Sequence, residues 1–216
     1  EGGRMLVLYA AQMLDVVEHG EPGEERDHAE TLLGLLTPIV KAFLTEVGFE
    51  STNEGVQIYG GHGFIKEWGM EQLVRDARIT RLYEGTTGIQ ALDLLGRKVS
   101  MAGGRFYQSL LTRIRATLDE CASVAELKAN AELLSTALNT VEGITDALQA
   151  MKKSDPDRAL ANAYLYMECF GHLVVGWLWL RDVRAFRDHQ LSDEMEKLLH
   201  EKYVSFANVF KDSDEG

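Results

Sequence analysis

The chain has 216 residues, 45% apolar and 26% charged, which excludes a disordered or fibrous protein and suffices for one or two domains with a sizeable core. A net charge of −12 excludes nucleic-acid binding as the main role, because backbone phosphates are held by clustered Lys and Arg. Cys121 and Cys169 lie far apart without a CxxC partner, so neither a disulfide framework nor a zinc site is indicated, and a reducing compartment, the cytoplasm, is the expected location.

The opening Glu-Gly-Gly-Arg has no initiator Met, basic n-region or cleavage pattern and reads as the interior of a longer chain. With three prolines and no sustained alternation of apolar and polar residues, the whole sequence reads as helix, an all-α protein. A first helix is expected over Arg4 to Glu18, with an apolar stripe of Leu6, Tyr9, Ala10, Met13, Leu14 and Val17. A turn at Gly20 to Gly23 stops it. A second helix is expected over Glu25 to Asn53, kinked or restarted near Leu36 and Thr37 because Pro38 removes a donor and crowds the preceding turn. From Gly55 to Gly69 the glycine density predicts a loop. Helix resumes over Met70 to Leu82, breaks at Tyr83-Glu84-Gly85, and restarts at Thr86 or Thr87 through Lys98.

Met101 to Arg105, with Gly103 and Gly104, is the expected linker between a region 1–100 and a second helical region 101–216. Helices are expected there over Phe106 to Ala122, Val124 to Met151, Pro156 to Arg187 and Asp193 to Phe210, the third capped by Ser154 or Asp155 with Pro156 in its first turn. Residues 164–180 are the nearest approach to a membrane span. They contain Glu168 and His172 and fall short of the roughly 20 apolar residues a bilayer needs, so no span is expected and the segment reads as a buried core helix.

The chemistry concentrates between Gln57 and Gln90. Glu84 stands alone in a helix break, preceded by an aromatic residue and followed by glycine and two threonines. In a closed apolar cleft a carboxylate there gains the raised pKa that a general base for a weakly acidic proton requires. Thr86 and Thr87 fit the N-terminus of the next helix, where unpaired N–H groups suit a phosphate or a flavin edge. On these residues alone a solvated turn with a Thr cap is the simpler reading. The Gly60-Gly61-His62-Gly63 cluster lacks the preceding strand of a dinucleotide fingerprint and reads equally as a tight interhelical loop. Arg75, Arg78 and Arg81 could attract phosphates, but Asp76 and Glu71 favour a local ion-pair network. His62 is read as loop packing or as a residue that approaches a flavin, Trp177, Trp179, Phe170 and Val174 as core or interface, and both cysteines as small apolar fillers.

Three segments, Val56-Gln-Ile-Tyr-Gly-Gly-His-Gly-Phe64, Val74-Arg-Asp-Ala-Arg-Ile79 and Leu82-Tyr-Glu-Gly-Thr-Thr-Gly-Ile-Gln90, together resemble the C-terminal helical domain of the acyl-CoA dehydrogenase family. The resemblance covers residues 1–100. The added helices after Met101 resemble the long bacterial members, such as the 3-methylmercaptopropionyl-CoA type. It implies part of a four-helix bundle followed by a further helical domain. It also implies FAD as cofactor, an acyl-CoA substrate, an electron-transfer acceptor protein and a homo-oligomer, dimer or tetramer.

Carried over residue by residue, the resemblance makes Glu84 the base that removes the α-proton of the thioester, with Gly85 beside the substrate. Gln57, Ile58, Tyr59, Gly60 and Gly61 would contact the ADP portion of FAD, in this family from a neighbouring subunit, and Thr86, Thr87, Gly88 and Ile89 would make a second flavin contact. Gly88 replaces a larger polar residue of many relatives, which leaves its backbone as the contact. The flavin-covering β-domain and earlier helices of the family are absent from these 216 residues. A non-catalytic oligomerisation or partner-binding module and an acyl-CoA oxidase are the alternatives. Glu84 beside both loops argues against the first, and oxygen consumption separates the second.

Overall fold

In a computed structural model the described residues are 1–188, and among them all regular structure is helical. The first helix, α1 (Gly2–His19), buries Leu6, Tyr9, Ala10 and Met13 of the expected stripe, while Leu14 stays exposed. Gly20 closes it, donating its N–H to the Val16 carbonyl. α2 (Glu24–Tyr59) opens with Glu24, Glu25 and Asp27, acids that favour the positive end of the helix dipole.

α2 corrects the expected break: it runs unbroken for 36 residues through Pro38. A proline inside a helix costs about 3 kcal/mol. Against that cost, Leu32, Leu35, Leu36 and Ile39 around it are wholly buried, and each such side chain contributes about 1.5–3 kcal/mol. Packing therefore outweighs the lost hydrogen bond. α2 also continues past Asn53 to Tyr59, which shortens the expected loop to corners at Gly60, Ile65 and Gly69. Between the corners lie the single turn α3 (Gly61–Phe64) and a 3-10 turn (Lys66–Trp68). By length and composition α2 would span a bilayer, as 164–180 would not; here its apolar residues form the middle of the core.

α4 (Met70–Thr80) and α5 (Thr87–Gly96) follow as expected, separated by a six-residue turn. The stretch Lys98–Gly104 is 3-10-like, interrupted by non-helical backbone at Met101, Ala102 and Gly103. Beyond it come α6 (Arg105–Ala122), α7 (Lys128–Lys152), α8 (Pro156–Leu160) and α9 (Ala163–Asp188). Asp155 caps α8, accepting the Arg158 N–H at 3.1 Å, with Pro156 at the first helical position. The single helix expected over Pro156 to Arg187 is two. Asn162, whose carbonyl takes the Tyr166 N–H, restarts the chain as α9, a role suited to a residue that competes with helix interiors. The helix expected over Asp193 to Phe210 lies outside the described residues.

One apolar core runs through helices on both sides of the 98–104 stretch, from Leu6 and Leu32 to Leu111, Phe170 and Trp177. Trp177 reaches 2% exposure and donates its indole N–H to Thr117 Oγ1 at 2.8 Å, while Trp179 stands over an apolar groove between α7 and α9. Cys121 is buried as expected, but Cys169 is exposed and fills nothing.

Candidate functional site

The turn between α4 and α5 is tethered to α2 at three points. Glu46, 5% exposed in its side chain, accepts from Arg81 at 2.5 Å through Oε2 and from the Thr87 hydroxyl at 2.6 Å through Oε1. Lys41, five residues earlier on the same helix, donates to the Gly85 carbonyl at 2.5 Å. Arg81 also lies over the Phe49 ring, 4.8 Å from its centroid, with Arg78 at 5.9 Å. Arg81 is therefore held by Glu46 and Phe49 on α2, and Arg78 lies over Phe49, in place of the local network expected with Asp76 and Glu71. Asp76 accepts from Gln72 instead.

Within this turn Glu84 has φ of 51° and Gly85 φ of 91°. The left-handed region costs an ordinary L-residue roughly 1–2 kcal/mol, and such conformations persist where the surroundings over-determine them. Thr86 supplies the N-cap of α5: its Oγ1 accepts the Ile89 N–H at 3.4 Å and its carbonyl the Gln90 N–H at 3.0 Å. The first free N–H groups of α5, those of Thr87 and Gly88, remain at the helix start. Glu84, Thr86, Gly88 and Ile89 are exposed, whereas Thr87 is buried with its hydroxyl committed to Glu46. The described residues do not form the closed apolar cleft that Glu84 needs.

The second cluster lies further along α2. Gln57, Ile58 and Tyr59 end the helix and Gly60 turns the corner with φ of 59°; all are exposed, Ile58 at 83%. α3 then folds back over the last turn of α2 so closely that a Cβ at Gly63 would sit 2.6 Å from the Val56 carbonyl oxygen. Only glycine permits that approach. At Gly60, Gly61 and Gly88 a Cβ would meet nothing within 4 Å, so the space before these backbones is open. His62 packs edge-on against Trp68 at 5.1 Å. From Glu46 to Gln57 is about 16 Å along a continuous helix, so the two predicted clusters face different stretches of α2.

The C-terminal helices support the first cluster from behind. Tyr164 of α9 donates to Glu168 at 2.8 Å; its hydroxyl is pushed up to about 12 by burial, then by that bond and the negative charge of Glu46 and Glu168. Gln149 and Lys152 of α7 donate to the Leu95 and Gly96 carbonyls, capping α5 at its far end. Lys41 and Glu46 were not singled out in the sequence. Their one signal is that each stands as a lone charge in an apolar run, Ile39-Val-Lys-Ala-Phe-Leu-Thr-Glu-Val47.

This is an all-helical module whose motif-bearing turn is braced by a long central helix. Family comparison places it. Residues 1–99 match the model described as acyl-CoA dehydrogenase, C-terminal domain, and residues 110–212 the one described as acetyl-CoA dehydrogenase C-terminal like. The chain belongs to the acyl-CoA dehydrogenase family. It is 43% identical over 178 residues to 3-methylmercaptopropionyl-CoA dehydrogenase of Ruegeria pomeroyi, covering 82% of this chain and 30% of that protein. It is 34% identical to the broad-specificity linear acyl-CoA dehydrogenase FadE5 of Mycobacterium tuberculosis, covering 97% of this chain and 36% of the relative. The fold matches Caenorhabditis elegans ACDH-11, solved in complex with C11-CoA, at a TM-score of 0.73 and 24% identity over 83% of this chain and 30% of that one. The chain thus spans about a third of the length of the curated relatives it matches.

Proposed function

We propose that this chain is the base-bearing part of a flavin-dependent acyl-CoA dehydrogenase that converts an acyl-CoA thioester to a trans-2-enoyl-CoA. The observation that carries the reading is Glu84, an exposed carboxylate in left-handed backbone at the tip of a braced turn, immediately before the N-terminus of α5. A carboxylate fixed in that way is a base in search of a covered substrate. In the reaction it takes the α-proton of the thioester, with Gly85 beside the bound acyl group. The rest of the enzyme supplies the apolar cover that excludes water.

The residues present fit FAD. Open space before Gly60, Gly61 and Gly88, free N–H groups at the start of α5, and the exposed apolar faces of Ile58, Tyr59 and Ile89 suit a flat, partly anionic ligand. When bound, the flavin accepts the β-hydrogen as hydride. Thr86, Thr87, Gly88 and Ile89 hold one part of it; Thr87 does so through its N–H, since Glu46 has its hydroxyl. Gln57, Ile58, Tyr59, Gly60 and Gly61, about 16 Å further along α2, would hold the ADP portion of FAD, in this family that of a neighbouring subunit. On this reading the enzyme is a homo-oligomer, dimer or tetramer, in the cytoplasm, and passes its electrons to an acceptor protein.

The test is anaerobic flavin reduction in the full-length flavoprotein with a panel of acyl-CoAs, wild type against Glu84→Gln. Wild type is expected to bleach with its substrate class and the variant to slow by about 10²–10⁴-fold, the usual share of a positioned base. An unchanged rate in Glu84→Gln would move the base elsewhere, and absence of flavin from both proteins would leave a non-catalytic module. Stoichiometric oxygen consumption would make the enzyme an oxidase.

A further inference from the structure

We infer that Glu46, assisted by Lys41, is the positioning residue for Glu84; the inference rests on the assignment of Glu84 as base. The argument begins with the two oxygens of one buried carboxylate. Oε2 holds Arg81, three residues before Glu84, and Oε1 holds Thr87, three residues after it. Lys41 fixes the carbonyl of Gly85 between them. Three points of a seven-residue segment are thus tied to one helix, whose run up to Glu46 is anchored in the core by wholly buried residues such as Ile39 and Ala42.

The tethers act where they are needed. Glu84 is a non-glycine residue in left-handed backbone, and short-range hydrogen bonds do not account for it. The Leu82 and Tyr83 N–H groups bond back to Ile79, and the Thr86 cap bonds forward to Ile89 and Gln90. Each set stabilises one flank. The angle between the flanks, and with it the direction of the Glu84 carboxylate, is left to the groups that connect them, and Glu46 is bonded to both.

Charge makes this specific. An ionised carboxylate accepts at both oxygens, as Arg81 and Thr87 require. In Glu46→Gln one oxygen is replaced by an NH₂ donor. With its oxygen toward Arg81 the amide keeps that contact without the charge that strengthens it, and its NH₂ meets Thr87 only if the hydroxyl turns round to accept, so the ion pair and the Thr87 donation are both lost. The side-chain volume is kept, so the variant tests the connection rather than the packing. Lys41→Met removes the third tether with little change in stem length.

The experiment is stopped-flow flavin reduction on the full-length, FAD-loaded enzyme. Wild type, Glu46→Gln, Lys41→Met and Glu84→Gln are compared at increasing acyl-CoA, with unlabelled and α-deuterated substrate. For a positioning role the limiting reduction rate of Glu46→Gln falls by about tenfold or more, a size reached when a reacting group is misplaced by a fraction of an ångström. The substrate Kd stays within about threefold and the α-deuterium isotope effect persists or grows, so the loss lies in proton removal. Lys41→Met shows the same split with a smaller loss, and provides the reading if Glu46→Gln fails to load flavin. A purely structural role would lower melting temperature and flavin content yet leave the rate of the loaded fraction within about twofold; that result overturns the inference. Wild-type reduction by Glu84→Gln would instead overturn the assignment of the base, and the inference with it.

Discussion

Thr145 shows how much one hydroxyl carries in this chain. It donates to the Val141 carbonyl at 2.6 Å, so its proton is committed, and the hydroxyls of Tyr107 at 3.2 Å and Tyr166 at 2.8 Å must both donate to its oxygen. All three side chains are buried. Thr145→Val removes the shared acceptor at nearly constant shape and leaves two buried donors unpaired, each costing about 1–3 kcal/mol. Denaturant titration should show a loss of that order. Thr145→Ser, which keeps the oxygen, should lose far less.

The same cluster sets an alkaline limit. Burial pushes the Tyr107 hydroxyl from 10.0 to about 12, with the nearby acids Glu142 and Asp146 adding to it. Burial pushes Tyr166 up as well. Between these values the folded chain keeps a proton that the unfolded chain has lost, so stability falls as pH rises. The contribution is intact below pH 10 and is lost toward about pH 12. Unfolding midpoints measured on either side of pH 10 should drop less in Tyr107→Phe than in wild type. An equal drop would place the alkaline limit elsewhere.

At the scale of elements, helix contacts are set by glycines whose placement has opposite consequences. Gly171 on α9 lies against Phe43 on α2, where a Cβ would come 2.4 Å from a ring carbon; that ring in turn stacks edge-on against His172 at 4.9 Å. Gly171→Ala forces α2 and α9 apart and should destabilise by about 1–3 kcal/mol. Gly48 lies within α2 with nothing within 4 Å of its Cβ position. Gly48→Ala should stabilise by about 0.5–1 kcal/mol through helix propensity. Melting temperatures should move in opposite directions; a Gly171→Ala protein as stable as wild type would mean that α2 and α9 are not in contact as described.

These elements also mark what the sequence discloses. α1, α4, α5 and the capped start at Asp155 follow from local signals such as a 3.6-residue stripe, a glycine stop or a proline after a cap, and the structure agrees within a few residues. At Pro38 local signals oppose tertiary ones: a proline speaks for a break, while four leucine and isoleucine side chains buried around it keep the helix intact. Past Gly55 glycine density speaks for a loop, but glycine permits helix without requiring a break, and α2 runs on to Tyr59. The turn bearing Glu84 was legible from its motif. Its support was not, because Lys41 and Glu46 lie some forty residues away in sequence, and a lone charge in an apolar run does not name its partner.

On the scale of the whole molecule the exposed apolar residues are unevenly placed. Ile58, Phe64, Ile65, Trp68, Leu73, Ile79, Leu82, Tyr83, Ile89 and Leu92 all fall between the end of α2 and the middle of α5, and α4 buries no residue at all. Exposed apolar surface on this scale marks an interaction face. It coincides with both motif clusters, so under the proposed function the surface meant for flavin and acyl chain is the surface that lacks cover. The isolated 216-residue chain should therefore retain no stoichiometric FAD through gel filtration and turn over no acyl-CoA, although its described helices share one apolar core. Helical circular dichroism with a cooperative melt, together with a flavin-free protein peak, is the expected result. Flavin that co-elutes at one per chain would mean that the α5 N-terminus and the Gly60 corner hold the cofactor without the remaining two thirds of the enzyme, and would shift the role of that larger part from binding flavin to covering the substrate.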